Sequence, residues 1–116
     1  MNEVKFLAIV EEKITLFNEK VKEDSNFAKI IGTSDRTVAI SISDGNTYVC
    51  ELKDGTLSQI SKSSAPVTSD ISLESDFETI ESILNNELSP MKAYVKRKLS
   101  VKASFRDLML LRQLLA

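Results

Sequence analysis

The apolar residues of this chain change period once in its first fifty positions, and that change limits the fold more than any other feature. Leu7, Val10, Ile14, Phe17 and Val21 recur at spacings of three and four, the stripe of an amphipathic helix whose opposite side is mostly Glu and Lys. Ile9 and Leu16 lie off the stripe and widen the apolar arc, so the helix either packs into a broad groove or offers an edge to a partner. From Arg36 the period falls to two. Val38, Ile40 and Ile42 alternate with Ala39, Ser41 and Ser43, as in a strand with one buried face. A one-striped helix and a one-faced sheet each need the other to close a core.

Further along, turn and cap signals divide the sequence. Phe27 to Ile31 reads as a short helical turn closed by Gly32. Asp44-Gly45-Asn46 and Asp54-Gly55 are hairpin signals, Gly tolerating the positive φ that such turns demand. They set off a second strand over 47–53 and a weaker third over 56–61, giving an antiparallel meander, and a fourth strand runs from Val67 to Leu73. Ser75-Asp76-Phe77-Glu78 reads as a capping box ahead of a helix marked by Phe77, Ile80, Ile83 and Leu84 and ended by Asn85-Asn86. Ser89-Pro90 starts the next helix, with Met91, Tyr94 and Val95 on its apolar side. Period two returns over 99–103. Ser104-Phe105-Arg106-Asp107 then caps a closing helix in which Phe105, Leu108, Met109, Leu110, Leu111, Leu114 and Leu115 surround nearly the whole circumference. Such a helix is sandwiched in the core, lids an apolar cavity, or buries its spare side against a second subunit or a membrane.

This order predicts an α+β fold filling residues 1–116 as a single domain. A mostly antiparallel five-stranded sheet is covered by helices on one face, with a long N-terminal helix and a hydrophobic C-terminal one. At 116 residues the core needs neither disulfide nor metal. The charges nearly balance at a net −2, and no Lys/Arg block is interleaved with aromatics, which argues against nucleic acid as a partner. Cys50 is the single cysteine and histidine is absent, so this chain alone builds no disulfide framework and no Cys/His metal cluster, and a reducing compartment fits. The apolar run Phe6 to Val10 is too short for a signal peptide or membrane span, and the last four residues are not a Ser-Lys-Leu type address. The expectation is a cytoplasmic protein without a cofactor.

Four stretches carry a family pattern: Asp70-Ile71-Ser72-Leu73, Asp76-Phe77, Glu87-Leu88-Ser89-Pro90-Met91-Lys92-Ala93-Tyr94 and Lys98-Leu99-Ser100-Val101-Lys102. Together they resemble the sterol carrier protein-2 (SCP2-like) lipid-binding family, whose pattern runs strand, acidic-aromatic helix start, G-K-L-x-P-x-x-A-F, then G-K-L-x-V-x-G. Ser89-Pro90 and Ala93-Tyr94 match its centre. The sequence departs from it at Arg97 and Ala103, where the pattern has glycine, and at Asn86-Glu87, where a Gly-Lys pair is common. The resemblance implies a curved sheet and covering helices around an apolar tunnel that accepts fatty acyl chains, acyl-CoA, phospholipid or sterol. It also implies that the last helix helps to close that tunnel.

An inventory of reactive groups agrees with a binding role and no enzyme activity. Without His the commonest general base is missing, and neither Ser nor Cys can be activated in the usual pairing. Cys50, in register with Tyr48 and Leu52, reads as a small buried hydrophobe. Glu74, Asp76 and Glu78 could be imagined as an acid/base or Mg²⁺ cluster, but they stand at a helix start where the dipole favours negative charge. Lys92, Lys96, Arg97 and Lys98 either solvate a helix face or draw the protein transiently to anionic headgroups on a membrane surface.

The expected site is therefore apolar. Phe77, Ile80, Leu84, Met91, Tyr94, Val95, Phe105, Leu108 and Met109 would line it, over a floor of Val38, Ile40, Ile42, Leu73 and Val101, with Tyr94 as the polar handle for a headgroup. An empty, uncollapsed apolar cavity of ~300 Å³ would cost about 7 kcal/mol, so a tunnel of that size would be filled by a ligand, hydrated or partly collapsed. The alternative is a structural or dimerisation module, a homodimer with the same fold and no ligand.

Overall fold

The helical stripe and the strand alternation meet in one core. A computed structural model describes residues 3–32, 35–43, 45–63, 68–104 and 107–108. In chain order these form α1 (Glu3–Glu23), α2 (Ser25–Ile31), β1 (Arg36–Ile42), β2 (Thr47–Lys53), β3 (Thr56–Leu57), β4 (Ser61–Ser63), β5 (Ile71–Ser75), α3 (Phe77–Leu84), α4 (Pro90–Val95) and β6 (Ser100–Lys102). The sheet order is β3-β2-β1-β5-β6, with β4 also on β2. Only the β1–β5 pairing is parallel among these; the others are antiparallel, as the hairpin signals require. Among the described residues no helix is long and apolar enough to cross a membrane.

Six strands stand where five were expected because the third breaks in two. Leu57 and Ile60 are both buried, yet a spacing of three puts them on opposite faces of a regular strand. The chain resolves the conflict by leaving the ladder at 58–60. Ser58 keeps contact there, its N–H donating to the Glu51 carbonyl (2.8 Å) while its Oγ accepts from the Glu51 N–H (2.9 Å). The fourth expected strand also moves: β5 begins at Ile71 and runs to Ser75, while Val67 lies outside the described residues.

Helix α1 closes that broken edge with three polar side chains two turns apart. The Asn18 amide donates to the Leu57 carbonyl (3.0 Å) and accepts from the Leu57 N–H (2.8 Å). Glu11 Oε1 accepts from the Ile60 N–H at 2.9 Å, and Glu3 pairs with Lys62 at 2.9 Å. Side chains of the helix thus supply the partners that a neighbouring strand would give an edge. The adjoining stripe, Phe6, Val10, Ile14 and Phe17, is buried in the core. Leu7, Ile9 and Val21 pack at its margins, and Leu16 stays exposed. Phe6 is fully buried, its ring 4.9 Å from Tyr48 and 5.6 Å from Phe77 between centroids.

Several local signals are realised in altered form. At the second hairpin Asp54 and Gly55 both take positive φ (53° and 78°), the primed two-residue turn that strand twist prefers. Gly45, by contrast, does not adopt positive φ; a Cβ there would lie 3.2 Å from Ile42 Cγ2, so close approach explains it. The expected capping box at Ser75 is shifted by one residue. Ser75 is the buried last residue of β5, with its hydroxyl donating to the Lys98 carbonyl, so Asp76 caps α3 by accepting from the Thr79 N–H at 2.7 Å. Ser89 and Ser104 do cap, accepting from the N–H groups of Lys92 (3.3 Å) and Asp107 (3.1 Å). Most of the expected closing helix, including Phe105 and Met109, lies outside the described residues.

Because Asn18 satisfies both backbone groups of Leu57, Asn18→Ala is expected to destabilise the protein by about 1–3 kcal/mol, the cost of part-buried groups left unpaired. Urea unfolding reads this directly. A change below the error of the method would mean that water replaces the amide.

Candidate functional site

The middle rows of the sheet's inner face are apolar. Strand pairing sets Tyr48, Ile40, Leu73 and Val101 in one row across β2, β1, β5 and β6, and Cys50, Val38 and Ile71 in the next. The second row is closed, with all three residues buried. In the first row Tyr48 and Leu73 are buried, whereas Ile40 and Val101 are only partly covered. Val101 is on an edge strand, where partial exposure is ordinary. Ile40 is on the central strand, flanked on both sides, so its partial exposure means that the described helices do not cover this residue completely.

Above the sheet, Ile80, Ile83 and Leu84 of α3 are buried and Phe77 is half-buried beside Phe6. The expected floor is thus assembled: Val38, Ile40, Ile42, Leu73 and Val101 share one face, with Phe77, Ile80 and Leu84 from α3 in the same cluster. Not all of the expected lining joins it. Met91, Tyr94 and Val95 point outward with exposures of 69%, 56% and 70%, and the buried side chain of α4 is Ala93. Tyr94 is therefore no handle inside the core. Leu108 is exposed as well, and Phe105 and Met109 lie outside the described residues.

Sequence reasoning missed Phe6 and Tyr48, which lie at the centre of the cluster. A signal for Tyr48 was present, because it alternates with Cys50 and Leu52. The Tyr48 hydroxyl is the one buried side-chain polar atom among the described residues without a partner in hydrogen-bond geometry. Burial raises its pKa; Asn46 lowers it, and nearby Glu3 adds to the rise.

Groups that could do chemistry are few and otherwise engaged. Burial pushes the Cys50 thiol up to about 11, with Glu11 and Glu51 adding to the effect, so at neutral pH it is an uncharged part of the core. The N-capping bond from Thr79 lowers the pKa of Asp76. Among the described residues no group of three or more His, Cys, Asp or Glu could hold a metal ion. A cleft of about 210 Å³ between the start of β1 and the end of β2 is lined by Asp35, Arg36, Thr37, Glu51, Leu52, Lys53 and Asp70. Its charged walls suit water better than hydrocarbon. Arg36 at its rim binds Asp107 (Nε to Oδ1, 2.8 Å), which raises the arginine pKa and ties Asp107 to the first strand.

Comparison with known proteins bears on this apolar face. The model of the SCP-2 sterol transfer family matches residues 14–116. The chain belongs to this family. Its fold is similar to a crystal structure of sterol carrier protein 2, with 17% identity and a TM-score of 0.66 over 93% of this chain and 91% of that one. Similar too is the solution structure of palmitated SCP2L2 from Aedes aegypti, with 15% identity and a TM-score of 0.58 over 90% and 92%. The stereoselective inverting sec-alkylsulfatase Pisa1 from Pseudomonas sp. also matches, with 17% identity and a TM-score of 0.57 over 69% of this chain. The chain spans only 13% of that enzyme. A search of curated proteins finds no match.

Two departures from the SCP2 pattern now have a backbone reading. Arg97 and Asn86, which stand at pattern glycines, both adopt φ +61°, while Ala103 is not among the positive-φ residues. The left-handed conformation that glycine adopts freely has been kept with side chains that resist it. Arg97→Gly is expected to raise stability by about 0.5–1 kcal/mol and Asn86→Gly by less, since Asn visits this region readily. Ala103→Gly should give no gain. Urea midpoints of the three variants test the ranking, and an Arg97→Gly protein no more stable than its parent would contradict it.

Proposed function

We propose that this chain binds lipid without covalent chemistry, taking a hydrocarbon chain against the inner face of the sheet beside Ile40, Val101 and Phe77. The observation that carries the reading is the partial exposure of Ile40, an apolar residue on the inner face of a central strand. Membership of a sterol transfer family supports it. A ligand lying there would bury the apolar surface that α1 and α3 leave uncovered, at roughly 25 cal/mol per Å². No directional polar contact is needed for such binding, which suits a carrier accepting several lipid classes. The palmitated relative makes a fatty acyl chain the first ligand to try.

The test is titration of a fluorescent fatty acid into the purified protein, with native mass spectrometry for stoichiometry. Saturable uptake of one chain per protein is expected. Ile40→Val should weaken it about fourfold, the effect of the ~0.8 kcal/mol carried by one methylene. No uptake, or uptake indifferent to both Ile40→Val and Phe77→Leu, would contradict the proposal.

A further inference from the structure

The outward side of α4 combines two features that the interior does not use. Met91, Tyr94 and Val95, at spacings of three and four, account for three of the six exposed large apolar side chains among the described residues, so the exposure is concentrated in one patch. Beside them Lys92, Lys96, Arg97 and Lys98 are all exposed. Among the described residues the ion pairs are Lys5–Glu81, Arg36–Asp107 and Lys62–Glu3, none of which uses these four cations. Lys98 acts electrostatically on Asp76, which is held by its own cap at the start of α3. No carboxylate lies within residues 91–98, and with a net −2 overall the rest of the chain is negative.

We propose that α4 and the turn after it form a docking surface for anionic phospholipid membranes. Charge complementarity selects this occupant. The four cations match phosphate and serine headgroups, while the negative remainder of the chain is repelled and so orients the molecule. The apolar residues sit on a six-residue helix and are more than half exposed, which suits them to wedging between headgroups. Tyr is at home at that depth, its ring apolar and its hydroxyl wet. A second copy of this chain does not fit, because two such patches would face each other with like charge. The helix is also preorganised. Ser89 caps it, the N–H groups of Lys98 (2.9 Å) and Leu99 (3.2 Å) converge on the Ala93 carbonyl, and Ser75 binds the Lys98 carbonyl. Docking therefore orders little new backbone. The proposal deepens the lipid-binding reading by supplying a membrane to exchange with, and it has its own measurement.

Flotation of the intact protein with phosphatidylcholine vesicles, and with vesicles in which half the lipid is phosphatidylserine, tests the proposal. Binding is expected to favour the anionic vesicles and to fall with salt. Lys92→Ala with Lys96→Ala should weaken it about thirtyfold, from roughly fivefold per cation. Met91→Ser with Tyr94→Ser should weaken it about tenfold or more. Thermal unfolding of each double variant shows that the fold is kept, as the exposure of these side chains requires. Equal binding to both vesicle types, or anionic binding unchanged in either double variant, overturns the proposal. Capture of polyglutamate with vesicles left unbound also overturns it, assigning the surface to an acidic protein partner. Fatty acid uptake from water by the unmodified protein is measured in parallel, and its failure with vesicle binding intact contradicts the carrier reading alone.

Discussion

The packing of Phe6 against Tyr48 and Phe77 joins α1, β2 and α3 at one point. Phe6 has no exposed surface, and a side chain of that size in such a place contributes about 3–5 kcal/mol, a large share of a domain's whole stability. The edge and tilted ring geometries add about 0.5–1.5 kcal/mol per pair. The nearby Lys5–Glu81 ion pair also spans α1 and α3, but the lysine is mostly in water, so it adds little to what the rings already fix. One cost accompanies the arrangement. Tyr48 carries its hydroxyl to a buried position where Asn46 and Glu3 lie near but neither is in hydrogen-bond geometry.

What this contact fixes determines what stays open. α1 is tied to the β3–β4 edge through Asn18, Glu11 and Glu3, α3 meets α1 through Phe77, and on the sheet Ile40 and Val101 stay partly exposed. The row that begins at the buried Tyr48 ends at half-covered Val101, with Ile40 partly open between them. The two partly open residues are apolar and stand on either side of buried Leu73, and neither lines the charged Arg36–Lys53 cleft. A site of the proposed kind would select by hydrocarbon content more than by functional group, in keeping with a chain that has no histidine and keeps its thiol neutral.

Most of the element order was legible in the sequence, because period and capping are local. The alternation of Val38, Ile40 and Ile42 and the Asp54-Gly55 turn each survive in the fold. The family assignment was legible from the Ser89-Pro90 and Val101 stretches. The third strand was harder to read, since its break follows from a burial pattern, Leu57 with Ile60, that shows only when the core is assembled. The orientation of α4 was not legible at all. Six residues are too few to define a period, and three large apolar side chains looked like an inner face. What decides its orientation is Ala93, small enough to let the helix backbone approach the core, with the Arg97 turn folding back onto its carbonyl. The expected sheet and α3 residues thus fall in one cluster, whereas Met91, Tyr94 and Val95 lie on the exposed side of α4.

The proposed site lays a guest hydrocarbon against the sheet beside Ile40. The most direct measurement is an isotope-filtered nuclear Overhauser experiment on the protein with a ¹³C-labelled fatty acid bound. Contacts from the acyl methylenes to the methyl groups of Ile40 and Val101 and to the Phe77 ring are the predicted result. Bound acid with contacts confined to the outer side of α4, or with none to Ile40, would contradict it.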